Sequence, residues 1–347
     1  MNSEDQALTV GVIGLGAMGQ THLDVYAKLD GVRVAAVADL DEARLSGAEK
    51  AGGNIEGQAQ AGFDLSDSSV KKYRDGLDLI ADPEIHVVDI CVPTPGHLPM
   101  GLASLQASKH TLIEKPLART YEQALQLANA AEQAWEQHRA VSMCAMCMRF
   151  WPGWDWLRDA VHDQRYGKVL AATFRRVAPF PGGDFYANGV ASGGAILDLH
   201  IHDLDFIRHA FGPPEEVNST GYSKITGQPD HVLTTFRYAV GHPHLTENAL
   251  VFAEGGWAMS DGFPFTMRYT VNFENATADF DLARGDHSVH IYRDGQTETP
   301  DLPGAGAMGY EHELRYFLDC VRDGQQADRI TLRDAVASLK VLDNLHR

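Results

Sequence analysis

From residue 8 onward, short apolar runs alternate with stretches whose apolar positions recur at helical spacing. LTVGVIG (8–14) is β-branched and apolar, and GAMGQTHLDVYAKL follows with helical periodicity. VRVAAVAD (32–39) reads as the next strand. Residues 40–80 read as a helix, an irregular Gly/Ser/Gln-containing stretch, and a helix around 73–80. HVVDICVPT (86–94) and KHTLIEKP (109–116) are strands, followed by the helices HLPMGLASLQAS and YEQALQLANAAEQAWEQ, and RAVSMCAMCM (139–148) closes the series. Such alternation predicts an α/β domain, a doubly wound parallel sheet covered by helices on both faces.

After residue 148 the pattern changes. A Trp-rich helix (151–162) precedes the strand KVLAATFRRVA (168–178). A Gly/Pro/aromatic loop then leads to a helix over 194–211, stopped by Gly212-Pro213-Pro214. Four strand-like runs follow: HVLTTFRYAVG, NALVFAEGGWAM, FTMRYTVNFENATADFDL and HSVHIYRDGQTET. Glu274-Asn275 and Asp294-Gly295 supply turn chemistry. Long β runs joined by short turns predict an α+β domain built on a large, mainly antiparallel open sheet. Two helices, 310–322 and 332–346, end the chain, the second capped by Thr331 with Asp334 three residues on.

The expected division is 1–148 and 149–347, with helix 332–346 free to pack back on the first domain; 347 residues suit two cores. The formal charge of −18 and the lack of a Lys/Arg block disfavour nucleic acid and anionic lipid. No apolar run approaches the ~20 residues of a spanning helix, and MNSEDQALTV lacks the features of a secretion signal. Cys144 and Cys147 have CxxC spacing, but on a buried strand residues three apart face opposite sides and cannot share a metal. Reduced thiols fit a cytoplasmic location.

Gly14-Leu15-Gly16-Ala17-Met18-Gly19 is a GxGxxG motif behind a strand and at the start of a helix, with Asp39 ending the next strand. Gly14 permits the tight turn, Gly16 lets backbone approach a pyrophosphate, and Gly19 allows close helix–strand packing. The helix start, with Ala17 and Met18, offers N–H groups and positive dipole to phosphates. Asp39 would accept from ribose hydroxyls and repel a 2′-phosphate. Leu40, in place of a compensating Arg, follows it, which favours NAD over NADP; the nearest basic candidate, Arg44, is a helical turn further along. Taken alone, the motif also fits a plain β-turn-α in a domain that binds nothing.

Glu114-Lys115-Pro116 and the run Gly193-Gly194-Ala195-Ile196-Leu197-Asp198-Leu199-His200-Ile201-His202-Asp203-Leu204-Asp205 carry the remaining chemistry. With VPTPGH (92–97) and Tyr310-Glu311-His312-Glu313, they resemble the glucose–fructose oxidoreductase / inositol dehydrogenase (Gfo/Idh/MocA) family over nearly the whole chain. The resemblance implies an NAD-dependent dehydrogenase acting on a ring hydroxyl of a sugar, cyclitol or sugar derivative. Lys115 matches the family's catalytic lysine, and Asp198 and His202 match its D-x-x-x-H pair. Thr94, His97 and Glu114 match cofactor-pocket positions, Arg149 falls where the nicotinamide is bordered, and Tyr310 matches a tyrosine that often faces substrate. It also implies a homodimer or homotetramer; an apolar outer face on the second sheet would suit such a contact.

The residues support the same chemistry. On a helix, Asp198 and His202 share a face, and a nearby carboxylate raises a histidine's basicity. His202 would take the hydroxyl proton and Lys115 would stabilise the alkoxide. The reading requires strand 109–116 and helix 194–211 to converge over one nicotinamide ring. One departure is His200, where the family commonly has glycine. It either projects toward substrate or, with His202, offers a metal pair, though on a helix the two point apart, so no metal is expected. Two rivals stay open: an NAD(H)-binding sensor without catalysis, and a metal-dependent hydrolase or lyase using His200 and His202.

Overall fold

The computed structural model describes residues 7–48 and 62–345. The N-terminal leader reading on residues 1–6, part of the irregular stretch within 40–80, and position 346 of the last helix lie outside these. The chain forms two compact units: Met1–Ala145 with Tyr310–Ala337, and Met146–Gly309 with Ser338–Arg347.

The first unit holds six parallel strands: β1 (Leu8–Ile13), β2 (Val32–Ala38), β3 (Lys71–Tyr73), β4 (Val87–Ile90), β5 (His110–Glu114) and β6 (Ser142–Ala145). Their order is β3-β2-β1-β4-β5-β6, the doubly wound arrangement in which the strand order reverses between β1 and β4. Val10, Val12, Val37, Val87, Val88, Ile90, Leu112 and Ile113 are fully buried, as expected of strands covered on both faces. β3 was not expected. Three residues at a sheet edge, two of them exposed, carry too little periodicity to be seen. Helix Tyr121–His138 turns Ala124, Leu127, Ala128, Ala131 and Ala134 inward, and Thr120 caps it by accepting from the Gln123 N–H. The Thr331/Asp334 capping box forms as expected: Asp334 donates its N–H to Thr331 Oγ1, and its carboxylate accepts the Thr331 N–H at 2.9 Å.

The second unit carries eight strands: β7 (Val169–Pro179), β8 (Glu216–Tyr222), β9 (His231–Arg237), β10 (Leu245–Met259), β11 (Thr266–Phe273), β12 (Thr277–Asp281), β13 (Val289–Arg293) and β14 (Gln296–Glu298). The order is β14-β13-β12-β11-β7-β10-β9-β8, and every pair is antiparallel except β7 with β10. Glu274-Asn275 joins β11 to β12, and Asp294 and Gly295 adopt positive φ (53° and 73°) in the β13–β14 turn. β8 escaped the sequence reading because it is a polar edge strand with its side chains mostly in solvent. Trp154 packs against Phe174, Phe206, Tyr269 and Phe280, joining helices Trp154–His162 and Ile201–Phe211 to the inner sheet face.

The outer face of this sheet is mixed, polar on some strands and apolar on others. On β11 and β12 it presents Arg268, Thr270, Asn272, Thr277, Asp279 and Asp281. Leu170, Leu233 and Leu250 are exposed on β7, β9 and β10. Strict alternation explains the polarity, since Met267, Tyr269, Val271 and Phe273 take the inward positions.

Candidate cofactor and catalytic site

In the first unit the motif residues gather at the carboxyl ends of β1, β2, β4 and β5. Gly14 has φ +93°, and a Cβ there would lie 2.7 Å from the Cys91 carbonyl carbon and oxygen. A Cβ on Gly19 would fall 1.9 Å from the Gly14 carbonyl oxygen, whereas one on Gly16 meets nothing within 4 Å. Two glycines are thus required by packing. The third keeps an open face where backbone can meet a ligand. Helix Ala17–Tyr26 starts at Gly16 with no capping side chain, and Gly16, Ala17 and Met18 are half-exposed. This is an anion-binding helix start.

Asp39 closes the other side. Its Oδ2 accepts the Leu15 N–H at 2.6 Å and its Oδ1 accepts the Asp41 N–H at 2.8 Å. The carboxylate is therefore fixed on the glycine-rich turn. Arg44 lies 4.0 Å from the Asp41 carboxylate. Arg74, which sequence reasoning missed, donates to the Leu40 carbonyl and to Glu42. It comes from a distant segment, and only the β2–β3 pairing brings it near.

Thr94 is buried in the turn after β4. The His97 ring nitrogens lie 2.8 Å from the Val92 and Pro116 carbonyl oxygens, which places the imidazole between the loop after β4 and the loop after β5. Burial lowers its pKa. Glu114 is buried at the end of β5, where its Oε2 accepts the Lys115 N–H at 2.9 Å. Lys115 is half-buried and precedes a cis peptide bond to Pro116. Tyr310, early in helix Gly309–Asp323, is largely buried.

In the second unit the expected single helix is two. Gly194–Asp198 ends at Leu199, and Ile201–Phe211 begins after His200; the N–H groups of Leu199 and His200 both reach the Ala195 carbonyl at 2.9 Å. Asp198 thus ends one helix and His202 lies in the first turn of the next, both half-buried. His200 is not directed at solvent. It is fully buried, its Nε2 lies 2.8 Å from Thr234 Oγ1, and a Cβ on Gly255 would fall 2.3 Å from its Nδ1. Burial first, then the positive fields of Arg176 and His231, push its pKa down to about 3. The glycine at 255 on β10 makes room for it.

Arg149 pairs with Asp205 of its own unit. Its Nε and Nη2 donate to the two oxygens of Asp205 at 2.8 Å each, and Ser338 Oγ donates to the same carboxylate at 2.9 Å. Arg176 and Asp203 form a second buried pair, with the guanidinium 5.3 Å from the Trp154 ring centroid. Among the described residues, the group of three whose donor atoms meet metal spacing is His22, Asp89 and Cys91, in the first unit. No disulfide joins cysteines among the described residues, and no described helix is long and apolar enough to cross a membrane.

Residues 8–140 match the model of the oxidoreductase family with an NAD-binding Rossmann fold, and residues 154–279 match the GFO/IDH/MocA C-terminal domain. The chain is 30% identical over 253 residues to a myo-inositol 2-dehydrogenase of Thermotoga maritima, covering 70% of this chain and 68% of that protein. It is 28% identical over 230 residues to a levoglucosan dehydrogenase of Pseudarthrobacter phenanthrenivorans, covering 65% and 56%. A solved levoglucosan dehydrogenase in complex with NADH and levoglucosan superposes with a TM-score of 0.80 at 20% identity, over 98% of this chain and 96% of that one. With a glycine-rich turn built for a dinucleotide in one unit and this C-terminal domain forming the other, the chain belongs to the Gfo/Idh/MocA family of oxidoreductases.

Proposed function

We propose that the protein is an NAD-dependent dehydrogenase that oxidises a ring hydroxyl of a sugar or cyclitol, and that reduces the matching carbonyl in reverse. The observation that carries this reading is that the glycine-rich turn, Asp39 and Lys115 follow the carboxyl ends of β1, β2 and β5 in one parallel sheet, with Asp39 bonded to the turn. The residues present fit the dinucleotide: the turn and helix start would hold its pyrophosphate, and Asp39 its adenosine ribose. NAD, when bound, supplies the hydride acceptor.

The chain's own residues supply placement and proton handling. Lys115, as ammonium, holds the reacting oxygen and stabilises negative charge as it develops there. His202 takes the hydroxyl proton on a ring nitrogen, and Asp198 ends the helix that precedes it. The relatives named inositol and levoglucosan dehydrogenases support a polyol or sugar substrate. Full-length protein with NAD and a panel of cyclitols and sugars should produce NADH absorbance. Lys115→Met and His202→Ala should each lower kcat by a factor of about 100 or more while NADH still binds. Normal turnover in both variants would remove these role assignments.

A further inference from the structure

Beneath the glycine-rich turn lies a buried polar cluster that the reading above does not use. His22, on helix Ala17–Tyr26, is fully buried, with Nδ1 2.8 Å from Asp89 Oδ2 and Nε2 3.4 Å from Glu114 Oε1. Asp89, at the middle of β4 and equally buried, also accepts the Tyr26 hydroxyl at 2.8 Å and the Cys91 thiol at 3.4 Å. Cys91 Sγ lies 3.5 Å from His22 Nδ1. Glu313 adds a further negative field at Tyr26.

Two carboxyl groups withdrawn from water need compensating charge. The Nδ1–Asp89 contact is a hydrogen bond, whereas Nε2 makes none and meets Glu114 at 3.4 Å as a charge contact, which an imidazolium makes attractive and a neutral ring does not. Burial works against charge on His22, the Asp89 carboxylate opposes it by its field and its hydrogen bond, and the net shift is well above the ordinary value. Tyr26 and Cys91 shift up, burial being the largest cause, and so stay protonated as donors. The far side of Glu114 completes the connection, because its Oε2 accepts the Lys115 N–H at 2.9 Å. His97 holds the next carbonyl, that of Pro116.

We propose that His22 is a positioning residue for Lys115: an imidazolium clamped between Asp89 and Glu114 fixes the Glu114 carboxylate, which fixes the backbone that carries the lysine. The inference rests on Lys115 being the residue that holds the reacting oxygen. The donor set of His22, Asp89 and Cys91 serves as a hydrogen-bonded clamp in this assignment.

The informative variant is His22→Asn, whose amide can replace the Nδ1 donor to Asp89 but cannot reach Glu114. Side-chain nitrogen NMR of the full-length protein should show the His22 signal, identified by its loss in His22→Asn, as imidazolium at pH ~7.5, well above the ordinary titration range. A neutral imidazole signal there overturns the proposal. In protein carrying carbon-13 methyl-labelled lysines, the Lys115 signal, identified by Lys115→Met, should move in His22→Asn and in Glu114→Gln. In the double variant it should move no further than in Glu114→Gln alone. An unmoved signal in both single variants overturns the proposal as well. On the polyol found by the panel, His22→Asn should lower kcat about tenfold or more, with NADH affinity within about threefold of the parent. If His22→Asn does not fold, Glu114→Gln carries the same lysine and kinetic tests. Full turnover by Lys115→Met would instead remove the underlying role of Lys115, a result separate from any outcome at His22.

Discussion

Arg149 offers the sharpest quantitative test, because sequence resemblance places it beside the nicotinamide whereas the structure shows it holding Asp205. The pair is bidentate at 2.8 Å, with side-chain exposures of 7% and 1%, and Ser338 supplies the third donor at 2.9 Å. Arg149→Met keeps most of the aliphatic stem but leaves a buried carboxylate with Ser338 as its remaining donor among these. Breaking a buried pair from one side costs about 3–5 kcal/mol. Replacing both partners, as in Arg149→Met with Asp205→Leu, should recover most of that loss, because no uncompensated charge remains.

The pH dependence has a definite sign. Burial raises the Asp205 pKa, but Arg149 and Ser338 outweigh it and the net shift is downward. The wild-type contribution is therefore present above the unfolded value near ~3.9 and is lost as pH falls through the lower folded value. Without Arg149, burial dominates and the shift reverses. The deficit of Arg149→Met should then be largest near neutrality and shrink toward pH ~5. Urea unfolding followed by tryptophan fluorescence reports on this unit, which holds Trp151, Trp154, Trp156 and Trp257. A loss under about 1 kcal/mol at neutral pH, together with a tenfold weaker NADH affinity, would refute the structural assignment and return Arg149 to the cofactor.

Two further outcomes follow from local geometry. Gly19→Ala should weaken NADH binding more than tenfold and cost about 1–3 kcal/mol, because its methyl would fall 1.9 Å from the Gly14 oxygen and force helix and strand apart. Gly16→Ala, which has open space, should leave unfolding unchanged and lower only NADH affinity; fluorescence titration and urea unfolding separate the two. His200 stays neutral in the fold down to about pH 3, whereas the unfolded chain protonates it below ~6.5. Its contribution is present above that value and is lost as pH falls toward the folded value. His200→Gln should therefore lose about 2 kcal/mol less than wild type between pH 7 and pH 5, in urea unfolding at the two pH values. Equal losses would contradict a buried neutral imidazole.

Periodicity along the chain was enough to reveal the parallel sheet, the antiparallel sheet, both hairpin turns and the Thr331 cap, because each depends on residues close in sequence. The dinucleotide turn was equally legible, since its glycines are required by contacts within one strand-turn-helix unit and with the neighbouring strand end. Other features were settled only by folding. The polar edge strands β3 and β8 exist because a neighbour offers them hydrogen bonds. His200 is buried because Gly255, 55 positions later, leaves space for its ring. Arg149 meets Asp205 and Ser338, and His22 meets Asp89 and Glu114, across separations no local pattern encodes. A charged side chain looks the same in sequence whether it will face a ligand or a buried partner. Which of these it meets depends on desolvation, and desolvation is a property of the packed chain.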